Sequence, residues 1–483
     1  MMHKITRREL LAAAMAGGAA LTLGERVPVR AAARRKPNII FVLADDLGYG
    51  DLGCYGQERI QTPHIDRMAA EGMRFTDCYA GCTVCAPSRS VLMTGLHTGH
   101  TRVRGNHGRD GDRVPLAPED TTVAELLQQQ GYATGLVGKW GLGDAGTTGH
   151  PNRKGFDYFY GYLDQRHAHN YYPEHLWRNE EEVQLPGNEE PAPFVHGGKG
   201  SYVPELLRDE ALSFVDRHRE TPFFLYWAMI RPHAANESGG HYGPETGEGM
   251  PVPTDAPYAE ETWPEAQKNH AAMITQMDAD VGLLFDKLET LGIAQDTLVI
   301  FTSDNGPHKE GGADPEFFGS RGGLRGIKRD LYEGGIRVPG IAWQPGTVPA
   351  GATSRLPWAF WDFLPTAAAA AGANVSADLD GISILPTLQG RFGDQRPHDN
   401  LYWEFHERGF AQAVRMGHWK AVRPGADAGI ELYDLAQDVG EEHNLADKHP
   451  ALVAEAQRLF EAERTTSEHW LTPAEEEAEK TEE

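Results

Sequence analysis

The residues most able to do chemistry lie in one short stretch near the N-terminus. The segment Cys85–Arg89 reads CAPSR, and Cys82 precedes Cys85 by three positions. A deprotonated thiol is a nucleophile and a metal ligand, so this Cys-x-x-Cys spacing alone allows a redox pair or half of a zinc site. A zinc site would need two further ligands at recognisable spacing, and a redox pair would not require the Pro-Ser-Arg that follows. The chain has only four cysteines, too few for a disulfide scaffold, and their clustering indicates local chemistry.

Oxygen-bearing side chains follow two apolar runs. Asp45 and Asp46 come directly after NIIFVLA, and Asp304 and Asn305 come one residue after TLVIFT. Carboxylate and amide oxygens suit a hard cation. At any one of these positions the alternative is an aspartate that caps a helix or stabilises a turn.

Several ordered motifs together resemble the type I sulfatase family. In that family Cys-x-Pro-Ser-Arg is the signature at which the cysteine is oxidised to formylglycine. The other matching segments are Ala44–Asp51 (ADDLGYGD), Gly138–Trp140 (GKW), Thr302–Gly306 (TSDNG), Lys328 with Glu333–Pro339 (EGGIRVP), Leu432–Leu435 and Glu441–Leu445. The likeness runs from about Pro37 to Asp447 and resembles arylsulfatase A and N-acetylgalactosamine-6-sulfatase.

The resemblance implies a formylglycine made from Cys85 and one calcium ion. In the family the aldehyde hydrate offers two hydroxyls on one carbon: one attacks sulfur and expels the alcohol, and the other, once deprotonated, reforms the aldehyde and releases sulfate. The calcium ligands map onto Asp45, Asp46, Asp304 and Asn305, and the ion would polarise the S–O bond. A formylglycine-generating enzyme is therefore an expected partner during maturation.

The resemblance also assigns roles to four basic side chains. Arg89 is expected to hold the formylglycine and the metal ligands in place, and Lys139 and Lys328 to bind sulfate, with Lys328 close to the leaving oxygen. His233, in an Arg-Pro-His segment after a strand, is expected to help protonate the leaving group, because imidazole titrates near neutrality.

One position departs from the family pattern. Many members have Gly-Lys-Trp-His-Leu-Gly, whereas this chain has Gly141 where the histidine would help deprotonate the hydrate. Either another histidine substitutes or the metal and Lys139 suffice. His169 is the nearest candidate, and the alternative is that His167 and His169 bind substrate or simply pack. Gln165 falls close to where the family has a sulfate-contacting polar residue.

Alternating strands and helices must bring these side chains together. Such alternation predicts an α/β fold with a mainly parallel sheet, in which ligands collect outside the carboxyl ends of the strands. The resemblance implies the alkaline-phosphatase-like version, a mainly parallel sheet sandwiched by helices. The predicted strands are Asn38–Ala44, Ala133–Val137, Phe223–Ala228 and Thr297–Thr302, and the predicted helices are Pro63–Gly72, Thr121–Gln130 and Ala266–Leu291.

The later part of the chain has a different pattern. Short candidate strands at Asn400–Phe405, Ala411–Met416, Trp419–Arg423 and Glu431–Tyr433, followed by a helix at His449–Thr465, predict a smaller antiparallel sheet subdomain. We expect a catalytic domain over residues 37–350, this C-terminal subdomain over 351–470, and an acidic tail, solvated or frayed, over 471–483.

The N-terminus resembles an export signal. Residues 1–33 contain Arg7 and Arg8 ahead of a small, mildly apolar run and an Ala-Ala-Ala segment, as in a twin-arginine signal. The alternative is a short amphipathic helix, which Gly17 and Gly18 would weaken. The expected location is periplasmic or extracellular, with no stable membrane anchor.

The overall charge limits the class of partner. A formal net charge of −25 argues against nucleic acid, whose binding needs clustered Lys and Arg. The expected partner is a sulfate ester substrate, such as a sulfated glycan. Two alternatives remain open: a phosphonate monoester or phosphodiester hydrolase on the same scaffold, and a non-catalytic protein that binds sulfated glycans.

Overall fold

The computed structural model describes residues 36–188, 200–236 and 247–482. The predicted export signal at residues 1–33 lies outside these residues. Within them, no helix combines the length and the apolar character that crossing a membrane requires.

The described elements alternate between strands and helices for most of the chain. The strands are β1 Asn38–Ala44, β2 Met73–Tyr79, β3 Ala133–Lys139, β4 Tyr158–Tyr162, β5 His175–Arg178, β6 Glu181–Gln184, β7 Phe223–Ala228, β8 Thr297–Ser303, β9 Arg337–Trp343, β10 Ala352–Ser354, β11 Trp358–Ala359, β12 Leu401–Phe405, β13 Ala411–Met416, β14 Trp419–Arg423 and β15 Glu431–Asp434. The helices are α1 Pro63–Glu71, α2 Cys85–Thr94, α3 Val123–Gln129, α4 Val203–His218, α5 Glu265–Thr290, α6 Pro315–Phe318, α7 Glu333–Ile336, α8 Phe363–Ala371, α9 Leu385–Leu388, α10 Pro450–Ala462 and α11 Pro473–Glu482.

The large sheet has the strand order β10-β2-β9-β8-β1-β7-β3-β4-β5-β6, with β11 also paired to β2. Its central strands β8, β1, β7, β3 and β4 are all parallel. The predicted α/β fold with a mainly parallel sheet and a small antiparallel C-terminal sheet is therefore confirmed. Since parallel strands end at the same edge, five neighbouring carboxyl ends meet there.

Strand β1 shows why the sheet must be covered on both sides. Ile39, Phe41 and Leu43 belong to one buried apolar cluster, and Ile40 and Val42 belong to the other. Side chains alternate along a strand, so a run that is apolar at every position needs packing on both faces. Helices on each side provide it, and the strand ends are held rigidly.

The structure adds strands that the sequence pattern did not predict. β2 and β9 pair antiparallel to each other, and β9 also pairs antiparallel to β8. Charged residues such as Arg74 and Asp77 interrupt the apolar pattern of β2. Strands β10 and β11, which follow the expected boundary at residue 350, pair with β2 of the large sheet.

The acidic C-terminal segment, expected to be solvated or frayed, is mostly exposed but forms a helix. Residues 473–482 form α11, where Glu475 pairs with Arg464 at 2.7 Å and Glu479 pairs with Arg109 at 2.6 Å. These ion pairs with arginines from earlier segments hold α11 against other parts of the described chain.

The C-terminal sheet, β12-β13-β14-β15, is joined to the large domain by a buried charge cluster. Lys420 of β14 contacts Glu333 at 2.9 Å and Glu441 at 3.0 Å, and all three side chains have no exposed surface. Glu333 lies five residues after Lys328 in the chain. The small sheet therefore braces the segment that carries one of the predicted site lysines.

Candidate active site

Five adjacent strand ends of the large sheet each contribute polar side chains to one place. β1 is followed by Asp45 and Asp46, β8 by Asp304 and Asn305, and β3 ends at Lys139. His233 comes shortly after β7, and the segment that carries His169 follows β4. All the predicted site residues on these segments therefore lie at the edge that parallel pairing requires.

The backbone at Asp46 explains how two consecutive carboxylates face the same site. Successive side chains of a strand point to opposite faces. Asp46 has a φ of +69°, a left-handed conformation that Asp tolerates better than most residues, and its amide donates to Asp304 Oδ1 at 3.2 Å. The alternation of side chains between the two faces of the sheet therefore ends at Asp46. Asp45, Asp46, Cys85 and His233 each offer a ligand atom within 4.8 Å of the others.

The predicted metal ligands fit a hard cation. Asp45, Asp46, Asp304 and Asn305 are completely buried and supply oxygen atoms, which Ca²⁺ prefers. Asn305 donates to Asp46 Oδ1 at 2.7 Å, but its own Oδ1 is buried without a hydrogen-bond partner. Such an oxygen is costly to bury unless something binds it. Burial and the neighbouring Asp45 carboxylate raise the pKa of Asp304, as expected for carboxylates that crowd a cation site.

Arg89 ties three parts of the site together. Its guanidinium donates to Asp304 Oδ2 at 2.8 and 3.2 Å and to the Lys139 carbonyl at 2.7 Å, and it lies 3.5 Å from Asp45. The side chain is completely buried. The planar guanidinium group of arginine suits this task, because its donors can bond to the Asp304 carboxylate and to the end of β3 at the same time.

Cys85 is the first residue of α2, a helix whose residues are all buried. Its Sγ lies 3.4 Å from both Asp45 Oδ1 and Lys139 Nζ. Burial, together with the Asp45 carboxylate, raises the pKa of the Cys85 thiol well above its ordinary value, so the thiolate is disfavoured. The Cys82 thiol contacts the Glu404 carbonyl at 3.8 Å, and both cysteines are free thiols. The geometry does not favour a redox pair or a zinc site built on Cys82 and Cys85.

Each of the two predicted sulfate-binding lysines contacts a carboxylate of the Asp45–Asp46 pair. Lys139 Nζ contacts Asp45 Oδ2 at 2.7 Å, and Lys328 Nζ contacts Asp46 Oδ2 at 2.8 Å. With Arg89 they place three cations among the three carboxylates. A divalent metal would make this centre positive, which suits an anionic ester.

Two histidines stack beside these lysines. His233 Nδ1 lies 2.6 Å from the Ala234 carbonyl, so it carries the proton, and Nε2 accepts from Lys328 Nζ at 3.0 Å. Burial, followed by the charges of His169 and Lys328, lowers the pKa of His233 well below its usual value. The His169 ring stacks on His233 with centroids 3.9 Å apart, and His169 Nε2 lies 3.5 Å from Lys139 Nζ.

Glu310 is a site residue that the sequence analysis missed. Its carboxylate contacts Lys328 at 3.3 Å, Arg329 at 2.6 Å and Asn236 at 2.7 Å. Burial opposes the effect, but Lys328 and its other basic neighbours hold the pKa of Glu310 well below its usual range. The only sequence signal was an acid six residues after Asp304, within a glycine-rich loop, which has no specific structural meaning.

Gln165 occupies the space that a side chain at position 141 would need. Gly141 has a φ of +81°, and a Cβ there would lie 1.9 Å from Gln165 Nε2 and 2.5 Å from its Cδ. The departure from the family pattern at Gly141 is therefore paired with a side chain from another loop. A histidine introduced at this position has no room while Gln165 stays in place.

A pocket of about 260 Å³ opens onto this centre. Its lining combines site residues with other polar side chains: Cys85, Asn106, His107, Arg113, Gln165, Arg166, His169, His233, Asn236, Lys328, Arg329 and Glu407. Glu407 comes from the turn after β12, so the C-terminal sheet also contributes to the pocket wall. The polar lining suits a polar ligand that carries an anion.

Comparison with known proteins gives matches over most of the chain. The family model described as Sulfatase matches residues 37–373, and one described as N-sulphoglucosamine sulphohydrolase, C-terminal, matches 326–464. Arylsulfatase A of Homo sapiens is 34% identical, covering 86% of this chain and 84% of that protein. N-acetylgalactosamine-6-O-sulfatase of Bacteroides thetaiotaomicron is 30% identical, covering 89% and 94%. The crystal structure of Ps i-CgsB in complex with k-i-k-neocarrahexaose has a TM-score of 0.74 at 29% identity, covering 92% and 97%.

The fit between Gly141 and Gln165 can be tested by stability. Gly141→Ala is expected to lower the free energy of unfolding by about 2–4 kcal/mol, because a left-handed residue gains a Cβ that also meets Gln165. Gly146→Ala is the matched control: its φ is +82°, but nothing lies within 4 Å of the added Cβ. It should lose only about 1–2 kcal/mol. Equal losses in denaturant unfolding would mean that Gln165 does not restrict position 141.

Proposed function

The chain belongs to the sulfatase family and is a sulfuric ester hydrolase; from this premise we propose that it cleaves sulfate monoesters of carbohydrates, with a formylglycine made from Cys85 and a calcium ion. The observation that carries the proposal is the convergence of Cys85, three cations and four oxygen ligands in one buried centre. Its homologues support the sugar substrate, since one is named for N-acetylgalactosamine 6-sulfate chemistry and another was crystallised with k-i-k-neocarrahexaose.

The modification of Cys85 agrees with its surroundings. A buried thiol with a raised pKa is a poor nucleophile, and the formylglycine would instead supply a hydroxyl oxygen at this position. Lys139, 3.4 Å from the Cys85 sulfur, would stabilise negative charge on that oxygen. The formylglycine-generating enzyme remains an expected maturation partner.

Calcium is the cation that we propose for the oxygen ligands Asp45, Asp46, Asp304 and Asn305. The unpaired Asn305 oxygen and the three carboxylates supply the hard donors that it prefers. When bound, the ion would act as a Lewis acid toward the sulfate oxygens. Arg89 would keep Asp304 and the end of β3 in register with it.

The remaining side chains would handle sulfate and protons. Lys328 and Lys139 would bind the sulfate oxygens. His233 would help to protonate the leaving alcohol, because its Nε2 can take a proton from the Lys328 ammonium 3.0 Å away and pass it on. We propose that His169, which lies beside Lys139, accepts the proton when sulfate is released. We also propose export through the signal at residues 1–33.

Modification of Cys85 is expected to be required for turnover. After expression with a formylglycine-generating system, peptide mass spectrometry should show loss of the thiol sulfur and gain of an aldehyde oxygen. Cys85→Ala and Cys85→Ser should abolish sulfate release. Cys82→Ala is the control, because the Cys82 thiol donates to the Glu404 backbone carbonyl rather than to a site side chain, and it should keep both the modification and the activity. An active enzyme that carries only unmodified cysteine would refute the proposal.

Metal dependence is expected to follow Asp304. Asp304→Asn keeps the shape and an oxygen but removes one charge, so metal affinity should fall by at least about tenfold, the smallest loss typical of a changed ligand environment. Isothermal titration with Ca²⁺ measures this, and the exposed Asp209→Asn is the control. Full activity after exhaustive chelation, with no metal detected by elemental analysis, would contradict the calcium assignment.

The proposed role of His169 predicts a change in the time course. His169→Ala should give a rapid burst of alcohol followed by a slow steady rate, because the first step uses His233 and Lys328 while sulfate release loses its base. A general base is worth about 10²–10⁴-fold, so rapid-quench kinetics should resolve the two phases. His167→Ala, in the same short turn, is the control. A higher KM without any burst would make His169 a substrate contact instead.

A further inference from the structure

Gln165 is the one pocket-lining side chain, among the described residues, whose amide has both polar atoms buried and unpaired. Its side chain is only 4% exposed, and neither Nε2 nor Oε1 has a hydrogen-bond partner. Because both atoms lack partners, this holds whichever way the amide is turned. An unsatisfied buried polar group costs stability, so its presence needs an explanation.

Packing alone does not require an amide at this position. Gln165 fills the space above Gly141, but an apolar side chain of the same length would fill it equally well and would avoid the desolvation cost. Gln165 lines the pocket, and neither polar atom of its amide has a partner in the protein. The amide therefore indicates recognition of something that enters the pocket.

The chemistry of an amide limits what that ligand group can be. Nε2 donates hydrogen bonds and Oε1 accepts one. A sulfate monoester has only acceptor oxygens, so it would leave Oε1 unsatisfied. A hydroxyl or an acylamino group carries both a donor and an acceptor and can satisfy both ends of Gln165.

Arg113 adds a second donor to the same wall. Its Nε pairs with Asp164 Oδ2 at 2.5 Å, next to Gln165 in the chain, while its Nη1 is buried without a partner. A pocket of about 260 Å³ is near the lower end of the range for small-molecule sites, which suits one sugar unit.

We propose that Gln165 and Arg113 form a subsite for a hydroxyl or acylamino substituent on the sugar that carries the scissile sulfate. The subsite would make the enzyme select sulfated sugars over simple sulfate esters. Gln165 provides the paired donor and acceptor, and Arg113 adds a donor to the oxygen of the same substituent. This inference rests on the proposed function. It adds that the substrate carries a hydroxyl or acylamino group that Gln165 recognises.

The substrate side of the test uses defined sugars. Sulfate release is measured from galactose and N-acetylgalactosamine sulfated at each available carbon, and from 4-nitrocatechol sulfate. In the best monosaccharide, each hydroxyl or the acetamido group is then replaced singly by hydrogen. For the unaltered enzyme, one of these replacements should lower kcat/KM by about 10- to 100-fold, the size expected when a buried polar group loses its partner.

The protein side uses Gln165→Leu, which keeps the shape and removes the amide. The same replacement on the sugar should now change kcat/KM by less than about threefold, since coupling disappears when one partner is already absent. Arg113→Met should reduce the same selectivity in part. The subsite would be overturned if Gln165→Leu discriminated between the unaltered and the altered sugar as strongly as the unaltered enzyme does. It would also be overturned if the Gln165→Leu change affected every altered sugar equally.

Stability separates this role from a structural one. Gln165→Leu should keep or raise Tm, because an unsatisfied amide is removed. Gln267→Leu is the matched control: Gln267 is 1% exposed, but its amide donates to Gly312 O at 2.9 Å and accepts from Asp314 N at 3.3 Å, so its loss should lower Tm. An equal fall in Tm for Gln165→Leu would assign its amide to the fold and overturn the proposal.

The two proposals fail in different ways. Cleavage of 4-nitrocatechol sulfate without cleavage of any sulfated monosaccharide would overturn the subsite and leave the sulfatase chemistry intact. Absence of sulfate release from every compound, by enzyme shown to carry the modified Cys85, would overturn the proposed function and the subsite with it.

Discussion

The structure depends on holding buried charges of both signs together at one edge of a sheet. Asp45, Asp46 and Asp304 are buried beside Arg89, Lys139 and Lys328, and each cation lies within 3.5 Å of at least one of the carboxylates. Removing one partner from such a buried pair costs about 3–5 kcal/mol, because the other charge is left uncompensated. The arrangement is tolerable only if every member is held in place.

The surrounding architecture supplies that restraint. Parallel strands covered on both faces bring distant segments to a common edge, and α2, buried along its whole length, presents Cys85 there. The C-terminal sheet contributes at a distance: Lys420 fixes Glu333, and Glu333 follows closely after Lys328 in the chain. A second buried ion cluster thus braces the first, which explains why a small antiparallel sheet is joined so tightly to a catalytic domain.

The charged centre and the pocket wall are built from different parts of the chain. The strand ends carry the carboxylates and Lys139, while Arg89 comes from α2 and Lys328 from the segment before α7. Together these charges suit the stabilisation of an anion in a buried site. The pocket wall comes from loops and from the turn that carries Glu407, and it includes neutral side chains such as Gln165 and Asn106. Loops can vary without disturbing the sheet, so they are suited to distinguish one substrate from another.

By itself the sequence predicted sulfate ester hydrolysis and the fold class. The CAPSR segment, the acids after two apolar runs and the alternation of strands with helices predicted the site residues and the parallel sheet, because these signals are local in the chain. β2 and β9 were not predictable in this way, since Arg74 and Asp77 interrupt the pattern of β2 and Pro339 and Gly340 interrupt that of β9. Pairing with strands distant in the chain stabilises both. The tertiary structure alone decided that Asp46 turns left-handed so that consecutive carboxylates face one site, that Glu310 pairs with Lys328, and that Gln165 covers Gly141. These features depend on contacts such as that between Asp46 and Asn305, 259 residues apart, whose geometry no local pattern contains.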